Sequence, residues 1–290
     1  MTSSIASQLA AAPISWGVCE AENWGHQLAP ERVLEDMRSL GIRATEFGPL
    51  GFLPVDPKPR AEMLQRFDLT AIGGFFPSVL HQEAVDPMPS IERELDAFEA
   101  AGATVLVLSA DSGATSYDEK QELTDAQWKV LGRHLGEAVR RAADRGIRAV
   151  VHPHVGTMIE SAGAVERLLH DTDADLCLDT GHLLIGGTDP LALTRRFAAR
   201  VGHAHLKDVD ADLAGQVGRG ERGFTDGVKA GIFVPLGQGD CGIAEIVAEL
   251  QAVGYAGWYV MEQDAILDAE SEGEGPLRDV RASVDFLLGL

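Results

Sequence analysis

No apolar run in this chain approaches the roughly 20 residues needed to span a bilayer, which excludes a membrane-crossing helix. Basic residues are also scarce. Lys and Arg number 24 against 45 Asp and Glu, a formal charge of −21. So acidic a surface repels nucleic acid and anionic membranes. Cysteine is rarer still: Cys19, Cys177 and Cys241 are far apart and odd in number. That argues against a disulfide framework and fits reduced thiols in the cytoplasm. The first dozen residues hold no Lys or Arg ahead of their short apolar stretch, so they do not read as a secretory signal. Low-complexity tracts, short repeats and a domain boundary are all lacking, and the expectation is one domain over residues 1–290.

What is present is alternation. Short β-rich runs at 12–16, 44–47, 69–76, 105–110, 149–154, 176–179, 203–207 and 258–262 are each followed by a helical or loop segment. Strict βα alternation implies a parallel sheet with right-handed crossovers. Eight such units in 290 residues predict a (β/α)₈ barrel, for which about 250 residues is typical. Helix punctuation agrees. Pro30 suits a first helical position, Asp189-Pro190 opens another helix, and Thr124 with Gln127 three residues on forms a capping box. Two stretches, 208–242 and 264–275, are too long for ordinary connections. Long loops in compact domains serve as lids or stay irregular, and 208–242 is expected to fold over the C-terminal face.

The chemistry clusters late in the chain. Six of the nine histidines lie between positions 152 and 205. Strand five ends His152-Pro153-His154, strand six ends at Asp179 before Thr180-Gly181-His182, strand seven carries His203, His205 and Lys207, and strand eight ends at Glu262. Four neighbouring strand ends thus offer nitrogen and oxygen donors to one rim, the set a divalent transition metal takes. Singly, each has a plain structural reading: Asp179 can cap a turn and Glu262 can pair with a lysine. Together on the rim where barrel enzymes build their sites, they predict one divalent ion, Mn²⁺ or Co²⁺ ahead of Zn²⁺ or Mg²⁺. His152 and His154 point the same way, and either could be the strand-five ligand. Glu46, ending strand two, reads as a salt bridge to Arg43 or Lys207, or as a group that handles substrate without touching the metal. Lys207 either stabilises an oxyanion or pairs with Asp208. Trp16, Phe75 and Phe76 are core aromatics or the wall of a pocket.

Leu178-Asp179-Thr180-Gly181-His182, His205-Leu206-Lys207-Asp208 and Glu262 resemble the xylose-isomerase-like barrel superfamily of sugar isomerases, epimerases and related enzymes. The resemblance implies a metal on strands five to eight, held here by His152 (or His154) where those proteins carry Glu, then Asp179, His205 and Glu262. A narrower similarity is to inosose (2-keto-myo-inositol) dehydratases. It rests on Ala12-Pro13-Ile14-Ser15-Trp16, Thr45-Glu46-Phe47-Gly48-Pro49, His152-Pro153-His154-Val155-Gly156-Thr157, Gly254-Tyr255-Ala256-Gly257-Trp258 and Glu262-Gln263-Asp264. After Trp16 the chain departs from that pattern, with Gly17-Val18-Cys19-Glu20 in place of an Asn/Asp-rich turn.

The similarity implies a lyase that dehydrates an inosose or close keto-cyclitol through a metal-stabilised enediolate. Glu46, Glu262, His154 and Lys207 would be catalytic, and Trp16, Phe76 and His182 would bind substrate. The alternative is a sugar or sugar-phosphate isomerase or epimerase. Epimerisation needs two bases facing each other across the substrate, and one of that pair is here a histidine. The abasic-site endonucleases of the same barrel need extra histidines from strands three and four, which end Phe75-Phe76-Pro77 and Leu108-Ser109-Ala110-Asp111. A small polyhydroxylated carbonyl compound is therefore the expected partner, with no nucleic acid or membrane, and a homo-oligomer is left open.

Overall fold

The computed structural model describes residues 5–21, 23–114, 116–270 and 274–290. Its strands are β1 (Leu9–Ala11), β2 (Ala44–Glu46), β3 (Thr70–Ser78), β4 (Val105–Ala110), β5 (Arg148–Val151), β6 (Asp175–Asp179), β7 (Val201–Leu206), β8 (Asp208–Val209), β9 (Phe233–Val234) and β10 (Tyr259–Met261). Eight of them close a parallel barrel in the order β1-β10-β7-β6-β5-β4-β3-β2, while β8 and β9 pair antiparallel as a separate ribbon. The barrel strands are buried on both faces, as parallel strands under helices must be. β4 and β7 are buried along their whole length.

The register sets the site. Asp179 lies beside His205, and His205 beside Val260, so β6, β7 and the end of β10 reach the rim at one level. The amphipathic helices behave as their punctuation predicts. Thr124 Oγ1 accepts from Gln127 N while Gln127 Oε1 accepts from Thr124 N, opening the helix Asp125–Asp144. Trp128, Leu131, Leu135, Ala138 and Ala142 form its buried stripe.

Two expectations are corrected. The first strand is Leu9–Ala11, and residues 13–16 form a 3₁₀ turn instead. Pro13 has no N–H to give a ladder, and Gly17, at φ 78°, caps the turn in the left-handed region. Trp16 is carried inward by that turn. The segment 208–242, read as one long loop, contains β8, β9 and the helices Ala211–Gly218 and Phe224–Lys229. Asp210 caps the first of these by accepting from Leu213 N at 2.9 Å. Asp208 organises the next turn, its carboxylate accepting from the N–H groups of Gly237, Gly239 and Cys241. Only glycine fits at 239, where a Cβ would stand 2.5 Å from Asp208 Oδ1. No helix among the described residues is long and apolar enough to cross a membrane.

Candidate active site

The turn after β6 explains why Asp-Thr-Gly-His stands there. Asp179 Oδ1 accepts from His182 N at 2.8 Å and so caps the helix Thr180–Ile185. Its other oxygen turns inward, with His152 Nε2 at 3.0 Å, Lys207 Nζ at 3.4 Å and His205 Nδ1 at 3.7 Å from Oδ2. Thr180 Oγ1 donates to Lys207 O and accepts from Lys207 N, tying the turn to β7. At Gly181 a Cβ would approach Lys207 Cβ to 2.7 Å, so a side chain there would push the lysine off its place.

Hydrogen-bond polarity then sets acceptor against acceptor. His203 Nε2 and His205 Nε2 both lie within 2.9 Å of Glu46 Oε1. An ionised carboxylate only accepts, so each imidazole donates its Nε2 proton there. In that tautomer His205 Nδ1 carries a lone pair, and it lies 3.2 Å from Glu262 Oε2. Acceptor faces acceptor, and His205 Nδ1 has no hydrogen-bond partner. A cation or an added proton must resolve the contact. Burial opposes a charge on His205, yet Cys177, Glu262 and Glu46 around it outweigh burial and raise its pKa well above the ordinary imidazole value. Burial pushes the Cys177 thiol itself up to about 11, so that thiol is neutral and the two carboxylates carry the attraction.

The wider balance has the same sign. Glu46, Asp179, Glu262 and Asp264 are all buried, and Lys207 is the cation among them. Four carboxylates and one ammonium give −4 + 1 = −3 while the imidazoles are neutral, and −4 + 2 = −2 once His205 takes the proton its surroundings favour. Lys207 Nζ lies 2.8 Å from Asp264 Oδ1, 3.1 Å from Glu262 Oε2 and 3.0 Å from His182 Nε2. Burial works against its charge, but these carboxylates and Asp179 hold its pKa well above the usual range. Burial pushes the Asp264 carboxyl up to about 6 even with Lys207 pulling the other way. His154 is driven down to about 3 by burial, then by His152 and Lys207. It donates Nδ1–H to the Val155 carbonyl at 2.7 Å, which leaves Nε2 as an acceptor.

Above this cluster opens a cavity of about 580 Å³. Glu46, His152, His154, His205, Lys207, Glu262 and Asp264 line its polar side, and Trp24, Phe75, Phe76, Tyr117 and Phe224 supply aromatic wall. A few convergent polar groups in an apolar bowl are the makeup of a small-molecule site.

Residues 34–288 match the family described as xylose isomerase-like TIM barrel. The chain belongs to that family. An inosose dehydratase of Lacticaseibacillus casei is 30% identical over 268 residues, covering 89% of each chain. Among solved structures, the IolI protein with a bound zinc atom superposes with a TM-score of 0.69 at 12% identity, over 97% of this chain and 98% of that one. An L-ribulose 3-epimerase gives 0.68 at 16% identity, over 96% and 92%. The protein is an enzyme of the dehydratase or sugar isomerase/epimerase type.

Within this xylose isomerase-like barrel, His152, Asp179, His205 and Glu262 come together on one rim, and Phe76, His154 and Lys207 line the cavity beside them. Of the strand-five pair, His152 is the one that touches Asp179, and His154 stacks on His182 with ring centroids 3.8 Å apart. Three expectations change. Glu46 is not remote from the residues expected to hold a metal: inward side chains from opposite strands of a closed barrel meet at its axis, and Glu46 reaches His205 there. Trp16 is no pocket wall, because it is fully buried with Nε1 bonded to Asp36 at 3.2 Å. His182 lies behind His154 and Lys207 and does not line the cavity. Lys207 pairs with Asp264, and Asp208 turns away to its own loop. Sequence reasoning gave Asp264 no role. Its signal was the spacing Glu262-x-Asp264, which puts both carboxylates on one side of an extended segment.

Proposed function

We propose that this enzyme dehydrates an inosose or a close keto-cyclitol, with one divalent ion held by His152, Asp179, His205 and Glu262. The observation that carries the reading is the contact of His205 Nδ1 with Glu262 and Asp179, which calls for a cation or a proton, inside a buried cluster that is net negative. Donor separations there of 3.0, 3.2 and 3.7 Å are near the roughly 3.0–3.4 Å between ligands on bonds of about 2.1 Å. The donor set of two imidazoles and two carboxylates suits Mn²⁺, Co²⁺ or Zn²⁺ better than Ca²⁺. The substrate class rests on the inosose dehydratase relatives. A bound ion supplies Lewis-acid polarisation of the substrate ketone.

The chain's own residues supply the rest. Glu262 takes the carbon-bound proton beside the ketone, being the carboxylate at the end of β10 that faces the cavity. Lys207 gives a proton to the departing hydroxyl, which leaves as water. Glu262 Oε2, 3.1 Å from Lys207 Nζ, then returns the proton it took. His154 Nε2 accepts a substrate hydroxyl and fixes the ring. The aromatic wall keeps bulk water from the carbanionic stage.

Glu46 takes a positioning role in place of the acid–base role expected from sequence. By accepting Nε2–H it fixes the tautomer that turns the His205 Nδ1 lone pair to the ion. Glu46→Gln should weaken metal affinity by about 10- to 100-fold, read by competition with a chromophoric chelator. Unchanged affinity would move Glu46 back to substrate handling. The function itself is tested by incubating metal-loaded protein with 2-keto-myo-inositol and following ultraviolet absorbance and product mass. Loss of one water with a new conjugated enol supports the dehydratase. An isomer of unchanged mass would mean an isomerase or epimerase.

A further inference from the structure

The cavity mouth holds a pair that this chemistry does not use. Tyr117 lies before the helix Asp125–Asp144 and Glu20 follows the turn after β1, and the Tyr117 hydroxyl donates to Glu20 Oε1 at 3.1 Å. Both line the cavity. The phenol ring rests on His154 and Phe224, with centroids 5.2 and 5.8 Å away. Its main chain sits on Gly156, where a Cβ would come within 2.6 Å of Tyr117 Cα. The turn carrying Glu20 is pinned as well, since Cys19 N donates to Gln27 Oε1 at 2.9 Å. Burial, with the Glu20 charge beside it, pushes the Tyr117 phenol up, so it stays a donor. Among the described residues Glu20 Oε2 meets the weak donor Cys19 Sγ, at 3.8 Å, and Glu20 is exposed. With its one proton given to Glu20, the phenol oxygen accepts, so two open acceptors, Tyr117 Oη and Glu20 Oε2, stand side by side.

Charge sharpens the selection. Three cationic side chains line the cavity: Lys207, Arg60 and Arg93. Lys207 is engaged by Asp264, Glu262 and Asp179. Arg60 donates to the Pro54 and Val55 carbonyls and lies over the Phe47 ring. That leaves exposed Arg93, in a cavity also lined by Glu20, Glu46, Glu94, Glu262 and Asp264. An anionic group would meet mostly carboxylate.

We propose that Glu20 and Tyr117 form the specificity determinant of the site, reading neighbouring hydroxyls of an uncharged polyhydroxylated ring and turning away phosphorylated or carboxylated ones. This rests on the keto-cyclitol reading and adds the charge class and the residues that read it. The test is calorimetric titration of the Mn²⁺-loaded full chain with myo-inositol, which has no ketone to react, and with a myo-inositol monophosphate. Wild type should bind the neutral polyol at least ~10-fold tighter than the monophosphate. Glu20→Gln and Tyr117→Phe should each weaken polyol binding by ~10-fold, the scale of a hydrogen bond involving a charged group, and Glu20→Gln should narrow the discrimination. With 2-keto-myo-inositol, KM should rise with Kd while kcat changes by less than roughly threefold. Equal binding of the monophosphate, no binding of myo-inositol, or an unchanged Kd in Glu20→Gln overturns the proposal. Binding differences that persist without turnover of the keto-cyclitol overturn the dehydratase reading and leave this one standing.

Discussion

Glu262→Gln should abolish both metal retention and turnover, with kcat/KM falling by about 10³-fold or more. The substitution keeps the shape and removes one negative charge from the contact with His205 Nδ1 and Lys207 Nζ. Lewis-acid stabilisation is worth several kcal/mol, and each 1.36 kcal/mol is about tenfold in rate, which sets that scale before the lost base is counted. The stability outcome separates this role from a structural one. In metal-free protein burial works against the Glu262 charge, but His205 and Lys207 hold its carboxyl below the usual carboxylate range. The variant should therefore unfold at a somewhat lower temperature, and added metal should stabilise wild type but not the variant. A variant that is active yet less stable would make Glu262 a structural partner of Lys207. Metal analysis, kinetics and thermal unfolding of the same preparation decide the matter.

Lys207→Met should be the most destabilising single change in the site. The ammonium is buried and within 3.4 Å of Asp179, Glu262 and Asp264. Removing one partner of a buried ion cluster costs about 3–5 kcal/mol, because the remaining charges stay buried. For a chain of this size that is roughly 6–20 °C in unfolding temperature. The loss should be smaller in metal-loaded protein, where a second cation remains. Adding Asp264→Asn should restore part of it by deleting one unpaired carboxylate. Turnover should stay low, by about 10²-fold or more, because the proton donor is gone. Full recovery of activity in the double variant would show that Lys207 serves packing only.

Much of the barrel was legible because eight apolar runs alternate with capped, amphipathic helical patterns, and no other closed arrangement suits strict βα order. Asp179, His205 and Glu262 were legible because strand ends are read directly from the pattern. Four things were not. Strand one was misplaced because Pro13 sits inside an apolar run that looks extended, and only its missing N–H sends the chain into a 3₁₀ turn with Trp16 in the core. The reach of Glu46 to His203 and His205 depends on side chains meeting across the barrel interior, a distance that strand order along the chain does not encode. The Tyr117–Glu20 contact joins two loops 97 positions apart, and loop placement leaves no periodic signal. The segment 208–242 read as one long loop because Gly and charge dominate it. Its order comes from Asp208 and Asp210, whose carboxylates satisfy backbone N–H groups and act as local templates.

The central claim is that the carboxylate-rich cluster at His205 takes a divalent ion and that dehydration depends on it. The most direct measurement is titration of Mn²⁺ into chelator-stripped protein, with bound metal and the dehydration rate of 2-keto-myo-inositol recorded at each addition. The account predicts negligible rate at the start, then a rate that rises in step with occupancy and breaks at one ion per chain. Full activity in the stripped protein, or an ion that binds without changing the rate, would contradict it.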